Sequence, residues 1–232
     1  TLRPGDVIVA NDPYSGGGAH LPDITVVAPV FHRGELVAFV ADIAHHADVG
    51  GMVPGSESAA CTTIHQEGLR IPPVKIRPEL GEMDPVIQLI MLNSRTPEER
   101  FGDIQAQIAA LRVGVRGVEE VYSRFGHATV SACMAGFLDY SERRILRAIG
   151  RLEAGVYSFS DRLDGDESLD ESSLIRVAAT VDASGVHLDF DGTSSQMPNG
   201  RNIPMVATLS VVYCVAKMLL DPDIPPNSGT YR

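Results

Sequence analysis

The sequence has no uninterrupted apolar run of the roughly 18–20 residues that a membrane-spanning helix needs. Its longest apolar stretch, Met205 to Leu220, is broken by Thr208, Ser210 and Lys217 and reads as a buried helix. Positive charge is scarce as well. Against 30 Asp and Glu stand 19 Lys and Arg, a net charge of −11, with no basic cluster. A duplex-binding face needs clustered lysine and arginine, so nucleic acid is not expected as a partner. The three cysteines, Cys61, Cys133 and Cys214, are far apart and odd in number. They fit buried thiols in a reducing, cytoplasmic setting, not a disulfide framework or a Cys-x-x-Cys metal site. Neither glycine-rich stretch runs into Gly-Lys-Ser/Thr, and no Gly-x-Gly-x-x-Gly stands between a strand and a helix. A self-contained nucleotide site is therefore not expected. The serines lack the Gly-x-Ser-x-Gly setting of a nucleophile elbow.

What is present is enough for a real core. The chain has 232 residues, 44% hydrophobic and 21% charged, the size of one or two domains. It has no initiator Met, and it ends at Gly229-Thr230-Tyr231-Arg232 straight after a turn-rich segment. It reads as an internal piece of a larger subunit.

The pattern predicts an α+β chain in three stretches. Residues 1–83 form a loop-rich β region: Asp6–Ala10 and Ile24–Phe31 are β-branched runs, and Arg33-Gly34 turns into Glu35–Ala44. Two glycine-rich loops, Asn11–Asp23 and Ala47–Ser58, lie between, and Pro72-Pro73 keeps Arg70–Ile76 extended. Residues 84–154 are helical. Ile104, Ile108, Leu111, Val115, Val118 and Tyr122 recur at helical spacing, as do Val130, Met134, Phe137, Ile145, Ile149 and Leu152. These give two long packed helices broken near Gly126. Residues 155–232 return to strands at Val156–Arg162, Leu174–Asp182 and Val186–Phe190, then the apolar helix Pro204–Leu220. Asp164–Ser173 reads as an acidic surface loop.

Five of the seven histidines fall between His20 and His65, together with Asp12, Asp23, Asp42, Asp48 and Glu67. Crowded imidazole and carboxylate groups suit a borderline or hard divalent cation. In Asn11-Asp12-Pro13-Tyr14-Ser15-Gly16-Gly17-Gly18-Ala19-His20-Leu21-Pro22-Asp23, the glycines let the backbone approach a ligand or adopt positive φ. Pro22 stiffens the His20-x-x-Asp23 pair. A lone His-x-x-Asp is more often a capped surface loop. In Asp42-Ile43-Ala44-His45-His46-Ala47-Asp48, strand alternation sends the adjacent histidines to opposite faces. Only one can join His20 and Asp23, and the pattern leaves open which. Around His65-Gln66-Glu67-Gly68-Leu69-Arg70, the carboxylate suits a general base and the arginine suits an anionic clamp.

Gly5-Asp6-Val7, Asn11-Asp12-Pro13-Tyr14 and Gly17-Gly18-Ala19-His20-Leu21-Pro22-Asp23 together resemble the hydantoinase B/oxoprolinase family. So do His45-His46-Ala47-Asp48-Val49-Gly50-Gly51, Pro54-Gly55-Ser56, Gln66-Glu67-Gly68-Leu69-Arg70-Ile71-Pro72-Pro73, Asn93-Ser94-Arg95, Gly102-Asp103-Ile104-Gln105-Ala106-Gln107, Asp191-Gly192-Thr193-Ser194 and Asn227-Ser228-Gly229. The likeness covers nearly the whole chain. Ala19 stands where a threonine is expected, a departure that touches no proposed ligand.

The resemblance implies a hydrolase subunit that opens hydantoin, 5-oxoproline or lactam rings in an ATP-dependent complex. The partner would be a hydantoinase A-type subunit or domain that uses ATP, in a hetero-oligomer. A ketone carboxylase of the acetone or acetophenone type, or a non-catalytic interaction module, is the alternative. The resemblance makes His20, Asp23 and His45 the ligands of a divalent metal, zinc or manganese. Asp12, Asp48 and Glu67 are then candidates for proton transfer, and Asn11, His46 and Arg70 for contact with a cyclic amide or ketone substrate.

Overall fold

The computed structural model describes residues 1–56, 58–164 and 173–231. The fold is α+β, with strands β1 (Val7–Ala10), β2 (Asp23–His32), β3 (Glu35–His45), β4 (Val74–Ile76), β5 (Gly155–Arg162), β6 (Leu174–Asp182) and β7 (Gly185–Asp189). The helices are α1 (Pro85–Leu92), α2 (Pro97–Phe125), α3 (His127–Ile149) and α4 (Met205–Leu220). Of the acidic loop expected at 164–173, residues 165–172 lie outside the described residues. The contacts divide the chain into two compact units. The first is Thr1–Ser131 with Met197–Leu209, and the second is Ala132–Gln196 with Ser210–Arg232.

In the first unit the strands form an antiparallel sheet in the order β3-β2-β1-β4. Arg33 and Gly34 join β2 to β3, and both have positive φ. That geometry matches the right-handed twist of the paired strands. Because side chains alternate along a strand, β2 puts Ile24, Val26, Ala28 and Val30 into the core. Val7 and Val9 of β1 join them, and α2 lies against this face with Ile104, Ile108 and Leu111. The spacing i, i+4, i+7 puts these three on one helical stripe. The strip of Val9-Val26 and its neighbours is thus roofed by helix, while the other face carries Phe39 and Ile43 exposed on β3.

The helix starts are set by their caps. The Asp84 carboxylate accepts from the backbone N–H groups of Val86 and Ile87, and Pro85 opens α1. Pro97 opens α2, with Glu98 and Glu99 in its positive first turn. Gly126 at φ 80 separates α2 from α3, where the sequence expects a break. The division into units does not follow the three sequential stretches, because α2 belongs to the roof of the first sheet.

In the second unit β5, β6 and β7 form an antiparallel meander. Tyr157, Phe159, Ile175, Val177 and Leu188 share one face of it by their register. Arg144 of α3 forks onto Asp221 with bonds of 2.7 and 2.6 Å.

Leu111 is 1% exposed in the core and Val113, on the same helix, is 61% exposed. Leu111→Ala should therefore cost about 2–5 kcal/mol of stability. Val113→Ala should stay within about 0.5 kcal/mol of the parent. Urea unfolding of both variants checks the direction of the buried stripe.

Candidate metal centre and arginine-lined cleft

The loop between β1 and β2 is folded by its own backbone. Asn11, fully buried, donates from Nδ2 to the carbonyls of Leu21 (2.8 Å) and Leu69 (2.9 Å). Its Oδ1 accepts from the N–H of Ile71 at 2.7 Å. Three bonds fill both donors and one of the two acceptor sites of the amide, so Asn11 ties three chain segments together and is committed to the framework. The glycines serve the same closure. A Cβ on Gly17 would lie 2.1 Å from the carbonyl carbon of Asn11, and one on Gly18 would lie 2.3 Å from Cβ of Asp23. They make room for the loop to fold back on itself.

That closure delivers His20 to Asp23. Nε2 of His20 stands 3.3 Å from Oδ2 of Asp23. Asp23 is directly opposite His45 in the β2–β3 ladder, and the rings of His20 and His45 are 4.9 Å apart between centroids. The three residues expected as metal ligands are thus neighbours at one end of the sheet. Two ligands each about 2.1 Å from a tetrahedral metal lie about 3.4 Å apart, close to the His20–Asp23 spacing. Two imidazoles and a carboxylate also suit a divalent cation chemically. Among the described residues, however, no group of three or more His, Cys, Asp or Glu side chains is gathered closely enough to hold a metal ion. The pair fits, and the third ring stands beside it without converging.

His46 goes the other way. It is fully buried, its Nε2 lies 3.1 Å from Oε1 of Gln107 on α2, and its N–H bonds to the carbonyl of Pro22 at 2.8 Å. Gln107 donates its Nε2 to the Ile24 carbonyl at 2.9 Å. Its Oε1 is therefore the acceptor, which assigns the His46 proton to Nε2. Burial holds the His46 pKa below the usual value, and the nearby Arg100 adds to this against the opposing bond to Gln107. His46 is a neutral clamp between sheet and helix, in place of the substrate contact expected of it.

Asp48 is also committed. Its Oδ1 accepts from Nη1 of Arg95 at 2.7 Å, and Oδ2 takes the Arg95 N–H and the Ser94 hydroxyl. Burial pushes its pKa up, but the Arg95 backbone and guanidinium outweigh that and hold it below the ordinary range. Asp12 accepts from Nη2 of Arg70 at 3.1 and 3.2 Å and from the Ser15 hydroxyl at 2.8 Å. There too burial is outweighed, by Arg70, Ser15 and the Tyr14 N–H, and the pKa is lowered. Carboxylates held ionised in this way are weak proton acceptors. Glu67 is half-buried on the turn after Ile64–Gln66. Its charge, added to burial, helps push the Cys61 thiol up, which makes Cys61 a buried thiol and not a nucleophile.

Asp12, His65, Arg70, Asn93, Ser94 and Arg95 face a cleft of about 740 Å³. Arg95 and Gln107 are contributors that the sequence pattern did not single out as site residues. The only sequence signal for Arg95 is the Asn93-Ser94-Arg95 motif.

Fold and site together define the class: an α+β protein with a His-x-x-Asp pair set against a strand-end histidine, and with a separate arginine-lined cleft. The chain belongs to the hydantoinase B/oxoprolinase family, whose model matches residues 1–232. It is 34% identical to a subunit of a putative D-/L-hydantoinase from Pseudomonas sp. strain NS671, over all of this chain and 41% of that protein. The crystal structure of an ATP-dependent caprolactamase from Pseudomonas jessenii superposes with a TM-score of 0.86 at 33% identity, covering all of this chain and 40% of that one. A nucleotide-free acetone carboxylase shares the fold at a TM-score of 0.86 and 21% identity, over 99% of this chain and 32% of that one. The chain thus spans about two fifths of the hydantoinase relative and of the caprolactamase chain. Among the described residues no helix is long and apolar enough to cross a membrane.

Two outcomes follow from this geometry. Gln107→Leu strands Nε2 of His46 and the Ile24 carbonyl, and should cost about 1–3 kcal/mol for each group left unpaired. Urea unfolding reads that loss. Asp48 has a lowered folded-state pKa, so its contribution is present above the unfolded value of about 3.9 and is lost as pH falls through the folded one. The parent should therefore lose more stability than Asp48→Asn between about pH 5 and pH 2, measured by thermal melts across that window.

Proposed function

We propose that this chain is part of the metal-holding subunit of an ATP-coupled amidohydrolase that opens hydantoin, 5-oxoproline or lactam rings. The observation that carries the reading is the juxtaposition of His20, Asp23 and His45. Family membership and the printed activities of its relatives support it. The partner is an ATP-using A-type subunit or domain, in a cytoplasmic hetero-oligomer. This chain has no phosphate loop, so carbonyl activation by ATP falls to that partner.

His20, Asp23 and His45 would hold a zinc or manganese ion, which when bound supplies Lewis acidity toward water and an activated carbonyl. The chain's own residues do the rest. His46 and Gln107 fix the end of β3 from behind, so that the imidazole of His45 is presented on the open side of the sheet. The glycine loop holds His20 against Asp23. Asp12 and Asp48, kept ionised by their arginines, shape the cleft, and the role of proton acceptor goes to Glu67 in this reading. Arg70 lines the cleft as the substrate-side cation.

Metal content and turnover test the proposal. Elemental analysis of the protein purified with its A-type partner should find metal in the parent and in His46→Ala, and none in His20→Ala or His45→Ala. His46→Ala should retain metal with turnover lowered by about 10–100-fold. The chain alone should hydrolyse neither ATP nor a hydantoin. Metal retained equally in His45→Ala, or ATP hydrolysis by the isolated chain, would overturn the reading.

A further inference from the structure

The cleft contains two arginines in different states. Arg95 is held at both terminal nitrogens: Nη1 bonds to Asp48 at 2.7 Å and Nη2 to the Gly51 carbonyl at 2.7 Å. Arg70 is not. It reaches Asp12 through Nη2 alone, at 3.1 and 3.2 Å to the two oxygens. Its Nε is buried and has no hydrogen-bond partner. A guanidinium presents five N–H donors in a planar fork. With Nη2 on Asp12 and Nε buried, Nη1 is the nitrogen through which Arg70, whose side chain is 34% exposed, can donate to a ligand in the cleft.

The surroundings narrow what that ligand is. The cleft volume of about 740 Å³ falls in the range of small-molecule sites. His65, Asn93 and Ser94 add polar side chains around its wall. Asp48 and Asp12 neutralise the two arginines one for one, so the site carries no large excess of positive field. Recognition then falls to directed, charge-assisted hydrogen bonds, which a carboxylate or phosphate oxygen accepts. The cleft walls are also stiff. A Cβ on Gly51 would lie 2.6 Å from the Gln66 carbonyl oxygen, so the two loops are locked against each other before any ligand arrives.

We propose that this cleft is an oxyanion-binding site in which Arg70 receives the carboxylate or phosphate group of a small ligand. Asp12 is the built-in acceptor that holds the guanidinium in place until the ligand shares it. The inference rests on the proposed function only for the ligand's origin: hydrolysis of a cyclic amide C–N bond releases a carboxylate and an amine, and activation by ATP makes a phosphorylated carbonyl. Either group offers acceptor oxygens to an Arg70 N–H.

Calorimetric titration of the full chain with inorganic phosphate, with acetate and with neutral acetamide tests it. Saturable binding of phosphate or acetate, and none of acetamide, is expected; which anion binds distinguishes the two origins. Arg70→Gln should weaken that binding about tenfold, the loss of one charge-assisted hydrogen bond. Asp12→Asn should tighten it, because the competing internal carboxylate is gone. A merely structural Arg70–Asp12 pair would weaken in both variants, and thermal melts run alongside separate unfolding from loss of the site. No heat with either anion, equal affinity in Arg70→Gln, or no tightening in Asp12→Asn would each overturn the inference. The titrations need neither metal nor ATP, so a failed metal assignment and a silent cleft are distinguishable results.

Discussion

The register of the β2–β3 hairpin is the constraint on which the candidate site depends. Asp23 faces His45 across one rung of the ladder, and the side chain of the next residue along, His46, falls on the opposite side. Because the strand period is two, a slip of one residue would turn His45 toward α2 and bring His46 to the open face. The hairpin is held at both ends. Arg33 and Gly34, at φ 54 and 87, set the turn, and at the far end Gln107 bonds both the Ile24 carbonyl and the His46 ring. Between them the register shift at Val30/Phe31 absorbs one irregularity close to the turn and far from the site. Packing of Ile104, Ile108 and Leu111 onto the sheet is what puts Gln107 there. The site geometry is therefore a consequence of core packing, transmitted through one buried amide.

The loops that carry the chemistry are ordered by hydrogen bonds more than by apolar burial. Asn11 joins the first loop to the segment at Leu69 and Ile71, and Asp48 joins the second to Ser94 and Arg95. Each is a buried polar group with its bonding capacity nearly filled. Such networks specify one arrangement when complete and are costly when a single partner is lost. Polar residues in these loops therefore divide into those spent on the framework, Asn11, His46 and Asp48, and those facing outward, His20, Asp23, His45 and Arg70.

Much of this was legible in the chain. The alternation of β-branched residues, the Arg33-Gly34 turn and the helical stripe from Ile104 to Tyr122 correspond to elements of the structure within a few residues. The opposed directions of His45 and His46 follow from strand period alone. What periodicity could not reveal was the use of each polar side chain. Asn11, Asp12 and Asp48 look like ligands in a line of text because a carboxylate or amide in a glycine-rich loop has no periodic neighbour to betray its partner. Their partners lie 58 or 60 residues away for Asp12 and Asn11, and 47 away for Asp48. Such pairings depend on tertiary closure of the loops. Gln107 closes the Gly102–Gln107 motif, but its role was hidden for a related reason: it sits on the buried stripe of α2, and the pattern gives no sign of its partners His46 and Ile24.

The charge of the chain bears on how the two candidate sites divide their labour. A net charge of −11 favours cations at the surface and opposes the approach of anions. The proposed His20–Asp23–His45 site would work with that field, since its one carboxylate would lower the cost of bringing a divalent ion to two imidazoles. An anion would have to be held locally, by fixed donors that act at short range. Arg95 is held at both terminal nitrogens by Asp48 and Gly51, and Arg70 through Nη2 by Asp12, so the proposed site depends on the N–H groups that Arg70 has left.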